Sequence, residues 1–314
     1  MSVRLEDLIT DLAKERIVGS VKVTLACLGA IGGLSLNSPA ATREDFVRSI
    51  LNACNRLREV RPTLFLLQNG LQYVLDHLRS AFDRGADLEE LKKVVSSSAG
   101  NFSNMVRDSV DRIGVVGSSY ISDGDTILTH GCSTTVLSVI SRAQQSGKRL
   151  EVITTETRPE FHGRLFAMAV ADLGIPVTLI IDSAHRHVMG RVNKVLLGAT
   201  AILLDGAVLG RIGTATVAHS AREAGVSVYV MASLCKICPD VKIVDNIRFE
   251  ERETASILPP EEARSLGIKI LNPVYDLTPP QDVSLLVTED GAIPPSAVSS
   301  LVEKVHTLLQ RPHA

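Results

Sequence analysis

The sequence holds no tryptophan, and aromatic residues make up only 4% of it. A surface that stacks successive bases of single-stranded nucleic acid is therefore not expected. The formal net charge of −2 supplies no global field to draw the chain to nucleic acid or to an anionic membrane. Long apolar runs are missing too, and none approaches the roughly 20 residues that span a bilayer. The five cysteines, at positions 27, 54, 132, 235 and 238, are odd in number and scattered, unlike a secreted disulfide framework. Residues 1–15 are amphipathic and mixed in charge rather than leader-like, so a reduced, cytoplasmic protein is expected. What is present is ordinary globular material: 45% hydrophobic and 22% charged residues in 314.

The chain changes period near residue 122. Before it the pattern is helical: leucines recur at three and four residues in Leu5–Leu12, and residues 46–60 and 69–80 repeat the spacing on either side of Arg61-Pro62. A longer pattern runs from Asp87 to Ile121, with Ser96-Ser-Ser-Ala-Gly100 as a candidate interruption. From Asp125 short β-branched runs alternate with helical stretches, the pattern of a parallel sheet covered on both faces. The expected fold is α/β: an N-terminal helical domain, 1–122, and a C-terminal Rossmann-like, doubly wound domain, 123–314. Ligands of such sheets bind beyond the carboxyl ends of the strands.

Those strand ends carry chemistry. ILTHGCSTTV (127–136) runs from a strand into a helix start, where Ser133 and Thr134 suit either a cap or a phosphate. Arg158 leaves the next strand, a good anion clamp unless Glu156 or Glu160 pairs with it. Asp182 ends the third strand as an acid, a base or an N-cap. LGRIGT (209–214) brings Arg211 and Thr214 to another helix start, although it is neither a P-loop nor GxGxxG. Lys236 follows a further strand, and Arg61 adds a cation from the helical half. CxxC at 235–238 has no second pair, and His185 and His187 are two apart, so neither reads as a metal site. No metal or other cofactor is expected. A phosphorylated small molecule is the natural guest for these cations.

ITTETRPEFHG (153–163), IPVTLIIDSA (175–184), KVLLGATAILLDGAVLGRIGT (194–214) and NPVYDLTPPQDVSLLVTEDGAIPPSAV (272–298) resemble the family of the translation initiation factor 2B alpha, beta and delta subunits. That family also contains methylthioribose-1-phosphate isomerase and ribose-1,5-bisphosphate isomerase, and the likeness covers nearly the whole chain. RPTLFLLQNGL and RGADLEELKKVV in the helical half look most like the ribose-bisphosphate branch. The resemblance implies a helical domain before a Rossmann-like one, and pairing through the C-terminal domains into a homodimer or a hetero-oligomer with paralogues. It also implies ligand contacts at Gly19 and Ser20, where the arginine that precedes them in the isomerases is Val18 here.

The isomerases carry a cysteine in a THC motif and an aspartate in a GAD motif. This chain has Gly131 and Thr200 at those positions, with Cys132 one residue on. The glycine, and GCS followed by LLGA without the aspartate, resemble the delta-type subunits. The expectation is accordingly a non-catalytic regulatory subunit with a crevice for a sugar phosphate or nucleotide. The alternative is an aldose–ketose isomerase of a phosphorylated pentose, with Cys132 as acid and Asp182 or Asp205 as base.

Overall fold

The computed structural model describes residues 5–238 and 251–309. They fall into two compact units, one of residues up to Ser109 together with those from Leu301 onward, the other Val110–Ser300. The division lies within a helix rather than at 122/123.

The first unit is helical: α1 Leu5–Ala13, α2 Ser20–Leu36, α3 Arg43–Val60, α4 Phe65–Asp83 and the start of α5 Leu88–Ser118, with α11 Val302–Leu308 from the chain's end. Leucines at helical spacing bury Leu8, Leu12, Phe46, Ile50, Leu57, Leu71 and Leu78 completely or nearly so. The serine-rich stretch 96–100 does not interrupt α5. Ser98 and Ser103 return their hydroxyls to carbonyls one turn back, so the polar groups are satisfied inside the helix.

In the second unit seven strands form the main sheet in the order β10-β9-β7-β4-β1-β2-β3. These are β1 Asp125–His130, β2 Leu150–Thr155, β3 Val177–Ile180, β4 Lys194–Gly198, β7 Ser227–Met231, β9 Leu285–Thr288 and β10 Gly291–Ile293. All pairings are parallel except β10 with β9. The order reverses direction at β1, flanked by β4 and β2. Helices α6 Thr134–Gln145, α7 His162–Asp172, α8 His185–Val188 and α9 Thr214–Glu223 connect the strands, and α10 Pro260–Ser265 follows later. Ile127, Val136, Val139, Ile140, Val152 and Phe166 are core members between sheet and helices.

Residues 201–202 do not join the parallel sheet but start a separate antiparallel one, β5-β6-β8. It comprises β5 Ala201–Ile202, β6 Val208–Arg211 and β8 Tyr275–Thr278. The Asp205-Gly206 turn folds the chain back at once, with Gly206 at φ 86, and closes a hairpin. Among the described residues no helix is long and apolar enough to cross a membrane.

Candidate functional site

The carboxyl ends of β1, β2 and β3 and the turn after β6 converge around one buried imidazole. His130 Nε2 lies 2.8 Å from the Ile212 carbonyl, which only accepts, so Nε2 carries the proton. Nδ1 then accepts from the Thr155 hydroxyl at 2.6 Å. Burial holds the His130 pKa below its usual range, keeping the ring neutral. One residue on, the Gly131 amide donates to Thr157 Oγ1 at 3.0 Å.

Asp182 stands beside this ring, its Oδ1 4.0 Å from His130 Nδ1. Its two oxygens accept the Thr157 and Arg158 amides, each at 2.7 Å, and so pin the loop after β2. Its side chain stays about one-third exposed. Arg158 is exposed, with its guanidinium over the Phe161 ring at 4.9 Å. Glu156, one expected partner for it, pairs with Arg164.

Arg211 ends β6 and donates to His162 Nδ1 at 2.6 Å; a guanidinium has no lone pair to offer, so that nitrogen is the acceptor. The helix start beyond it is already engaged. Thr214 Oγ1 donates to the Arg211 carbonyl at 2.5 Å. The Gly213 and Ala215 amides donate to the Asp276 carboxylate at 2.7 and 3.2 Å. Burial pushes the Asp276 carboxyl up to about 6 against those amide bonds, which favour its ionised form. The amides expected to cradle phosphate at α9 thus hold an internal carboxylate.

Other sequence-derived candidates have definite neighbours. Ser133 is the N-cap of α6 and accepts from the Val136 amide at 3.2 Å, with Thr134 as the first helical residue. Lys236 is buried, donates to the Ala199 carbonyl at 2.7 Å and is pushed down to about 8 by burial, with Glu289 opposing. In the helical unit, Gly19 caps α2 at φ 93 and Ser20 is its first residue. Arg61 is buried against Glu15 Oε1 at 2.9 Å and the Leu12 carbonyl at 2.6 Å, which ties the end of α3 to the end of α1.

Two proposed acid–base groups have other surroundings. Cys132 is half-buried and packs against the apolar core cluster of the sheet unit, after the turn at Gly131 (φ 84). Asp205 accepts from the Ala207 amide in the β5–β6 turn, at the end of the hairpin opposite Arg211. Of the three named carboxylate and thiol candidates, Asp182 alone is a carboxylate at the strand ends beside His130. The reading of residues missed Thr155, Thr157, His162 and Asp276, whose roles depend on partners 25 to 63 positions away. Among the described residues no group of three or more His, Cys, Asp or Glu is disposed to hold a metal ion.

Fold and strand-end chemistry together define a class: a doubly wound α/β protein with arginines, a neutral imidazole and an accessible carboxylate at its topological switch point. The chain belongs to the initiation factor 2 subunit family, whose model matches residues 16–295. It is similar to ribose 1,5-bisphosphate isomerase of Thermococcus kodakarensis, 36% identical over 290 residues that cover 92% of this chain and 90% of that protein. Methylthioribose-1-phosphate isomerase of Acetivibrio thermocellus is 33% identical over 304 residues, 91% of this chain and 87% of that one. Among solved structures, translation initiation factor eIF-2B of Pyrococcus horikoshii OT3 superposes with a TM-score of 0.80 at 24% identity, covering 93% of this chain and 97% of that one; it supports the fold alone.

These relatives correct the expectation of a non-catalytic regulatory subunit. That expectation weighed two departures, Gly131 and Thr200, above the similarity of the whole chain. The chain's likeness to proteins named as isomerases extends over about nine-tenths of its length.

Proposed function

We propose that the chain is an aldose–ketose isomerase of a phosphorylated pentose, of the ribose 1,5-bisphosphate type. The observation that carries this reading is its 36% identity, over 92% of its length, to a protein of that name. Conversion of a ring-closed ribose 1-phosphate to its ketose breaks the bond from C1 to the ring oxygen. One hydrogen moves from C2 to C1. One proton leaves the C2 hydroxyl and one arrives on the ring oxygen, so atoms and charge balance. Asp182 is the group suited to take the hydroxyl proton, since its carboxylate is accessible and its two amide bonds hold it in position. Arg158 and Arg211 suit the phosphates. With Gly131 in place of a thiol, the ring oxygen takes its proton from water.

Incubation with ribose 1,5-bisphosphate, followed by 13C and 31P NMR, is expected to yield ribulose 1,5-bisphosphate. Asp182→Asn is expected to lower kcat by about 10²-fold or more, whereas Cys132→Ser, a change against the core, leaves the rate within a few-fold. No turnover above a protein-free control would overturn the proposal.

We further infer that the chain works as a homodimer. Leu165 and Met168 on α7, and Leu179 and Ile181 on and just after the edge strand β3 against which α7 packs, are 47, 64, 45 and 59% exposed. Large exposed apolar residues on an edge strand and on the helix packed against it favour burial against a like surface. Light scattering is expected to give twice the chain mass for the wild type and the chain mass for Met168→Glu/Leu179→Lys. A wild-type monomer would remove this inference.

A further inference from the structure

The turn that carries Arg211 also carries the acceptor for His130, and nothing in the reaction outlined above explains what holds that turn. Ile212 offers its carbonyl to His130 Nε2 while its own amide donates to the Val274 carbonyl at 2.9 Å. Gly213 follows at φ 101, a left-handed conformation that leaves its amide pointing away from the helix ladder. A Cβ there would lie 2.8 Å from His130 Cε1, so turn and imidazole are in direct contact. The Gly213 amide and the Ala215 amide both end on Asp276.

We propose that Asp276 is a positioning residue of the strand-end cluster. Its carboxylate fixes the Ile212–Ala215 turn, the turn fixes the proton of His130 on Nε2, and the ring so oriented stands beside Asp182. The role in turnover rests on the isomerase reading; the effect on His130 does not. Asp276 acts through backbone and imidazole and touches no reacting atom in this scheme.

The same chain of bonds makes the arrangement sensitive to acid. The Asp276 carboxyl is pushed up to about 6, chiefly by burial. Protonation then weakens an acceptor of two amides over a pH range in which other carboxylates remain charged. The charged or titratable side chains around the turn and the ring are Arg211 on β6, His162 bonded to it, Tyr275 on β8, His130 on β1 with Asp182 and His185 acting on it, and His219, Arg222 and Glu223 further along α9. None of them is a cause of the Asp276 shift, which comes from burial and amide bonds alone.

The sign for global stability runs the other way. A carboxyl whose pKa is raised on folding binds its proton more tightly in the folded chain, so its contribution to stability grows as pH falls from about 6 toward 4. Loss of His130 order on acidification is therefore local and separable from unfolding.

Asn at 276 is informative because it mimics the neutral carboxyl: an amide oxygen in the place of Oδ2 still faces the Gly213 and Ala215 amides, at 2.7 and 3.2 Å, but as an uncharged, weaker acceptor that does not titrate. The experiment records 15N-histidine spectra of the full chain from pH 5 to 8, with His130 assigned by loss of its signal in His130→Gln. In the wild type the neutral-ring signals of His130 are expected to shift with a midpoint near 6. Asp276→Asn is expected to hold them near the wild type's pH 5 position throughout, and Asp276→Ala to displace them at every pH. In parallel, any acid limb near 6 in kcat/KM is expected to disappear in Asp276→Asn while KM changes little. A wild type without the midpoint, or an Asp276→Asn that keeps it, would overturn the proposal. If no variant turns over sugar phosphate, the histidine spectra still decide the positioning role, and only the isomerase reading falls.

Discussion

The double variant Gly131→Cys/Thr200→Asp is expected to convert ribose 1,5-bisphosphate to its ketose about 10² to 10⁴ times faster than the wild type, the range a positioned acid–base pair contributes. The resemblance to the isomerases implies a thiol and a carboxylate at these two positions. A Cβ built on Gly131 meets only Arg211 Cβ, at 3.9 Å, which is ordinary van der Waals contact. The backbone amide of Thr200 donates to the Leu209 carbonyl, two residues before that same arginine, so both positions border the end of β6. A side chain at φ 84 is strained by roughly 1 to 2 kcal/mol, less than the roughly 3 to 5 kcal/mol that such a rate gain represents. Single-turnover NMR or a coupled ketose assay measures the gain. A double variant within about threefold of the wild type would mean that the two positions do not border the reacting carbons.

Gly163→Ala is expected to destabilise the sheet unit by about 3 kcal/mol or more. Gly163 is the second residue of α7, and its amide donates to the Glu156 carbonyl at 3.1 Å. An added Cβ would lie 1.7 Å from the Thr155 carbonyl oxygen and 2.9 Å from its carbon. That neighbour is backbone at the end of a central strand, so no rotamer change relieves the clash. Alanine's better helix propensity returns at most about 1 kcal/mol, too little to reverse the sign. Because Thr155 holds His130 and His162 holds Arg211, the displacement also reaches the strand ends. Urea unfolding of the two proteins measures the loss. A midpoint equal to that of the wild type would show that α7 can shift away from β2 at little cost.

The parallel sheet and its helices were legible because near-continuous apolar runs such as Leu150–Thr155 have no other stable use than a strand buried on both faces. The hairpin at 201–211 was not, because a two-residue strand leaves too little periodicity to distinguish it from the parallel runs around it. The strand-end position of Arg158, Asp182 and Arg211 follows from where the runs stop. Their partners do not: a pattern that identifies a strand end says nothing about which carbonyl, 82 residues away, will meet an imidazole.

By itself the sequence determined the order of helix and strand, the placing of cations and a carboxylate at strand ends, and membership of a family written into most of its length. Periodicity and composition are local properties and need no partner to be read. Only the tertiary structure decided that Cys132 packs half-buried against the apolar core, that Asp205 closes a hairpin, and that Asp276 occupies the amides at the start of α9. Each of those outcomes depends on a glycine-bearing turn, and the last also on a partner 63 residues along the chain. A left-handed residue at 131 or 213 redirects everything after it, and the sequence records the glycine without recording the direction.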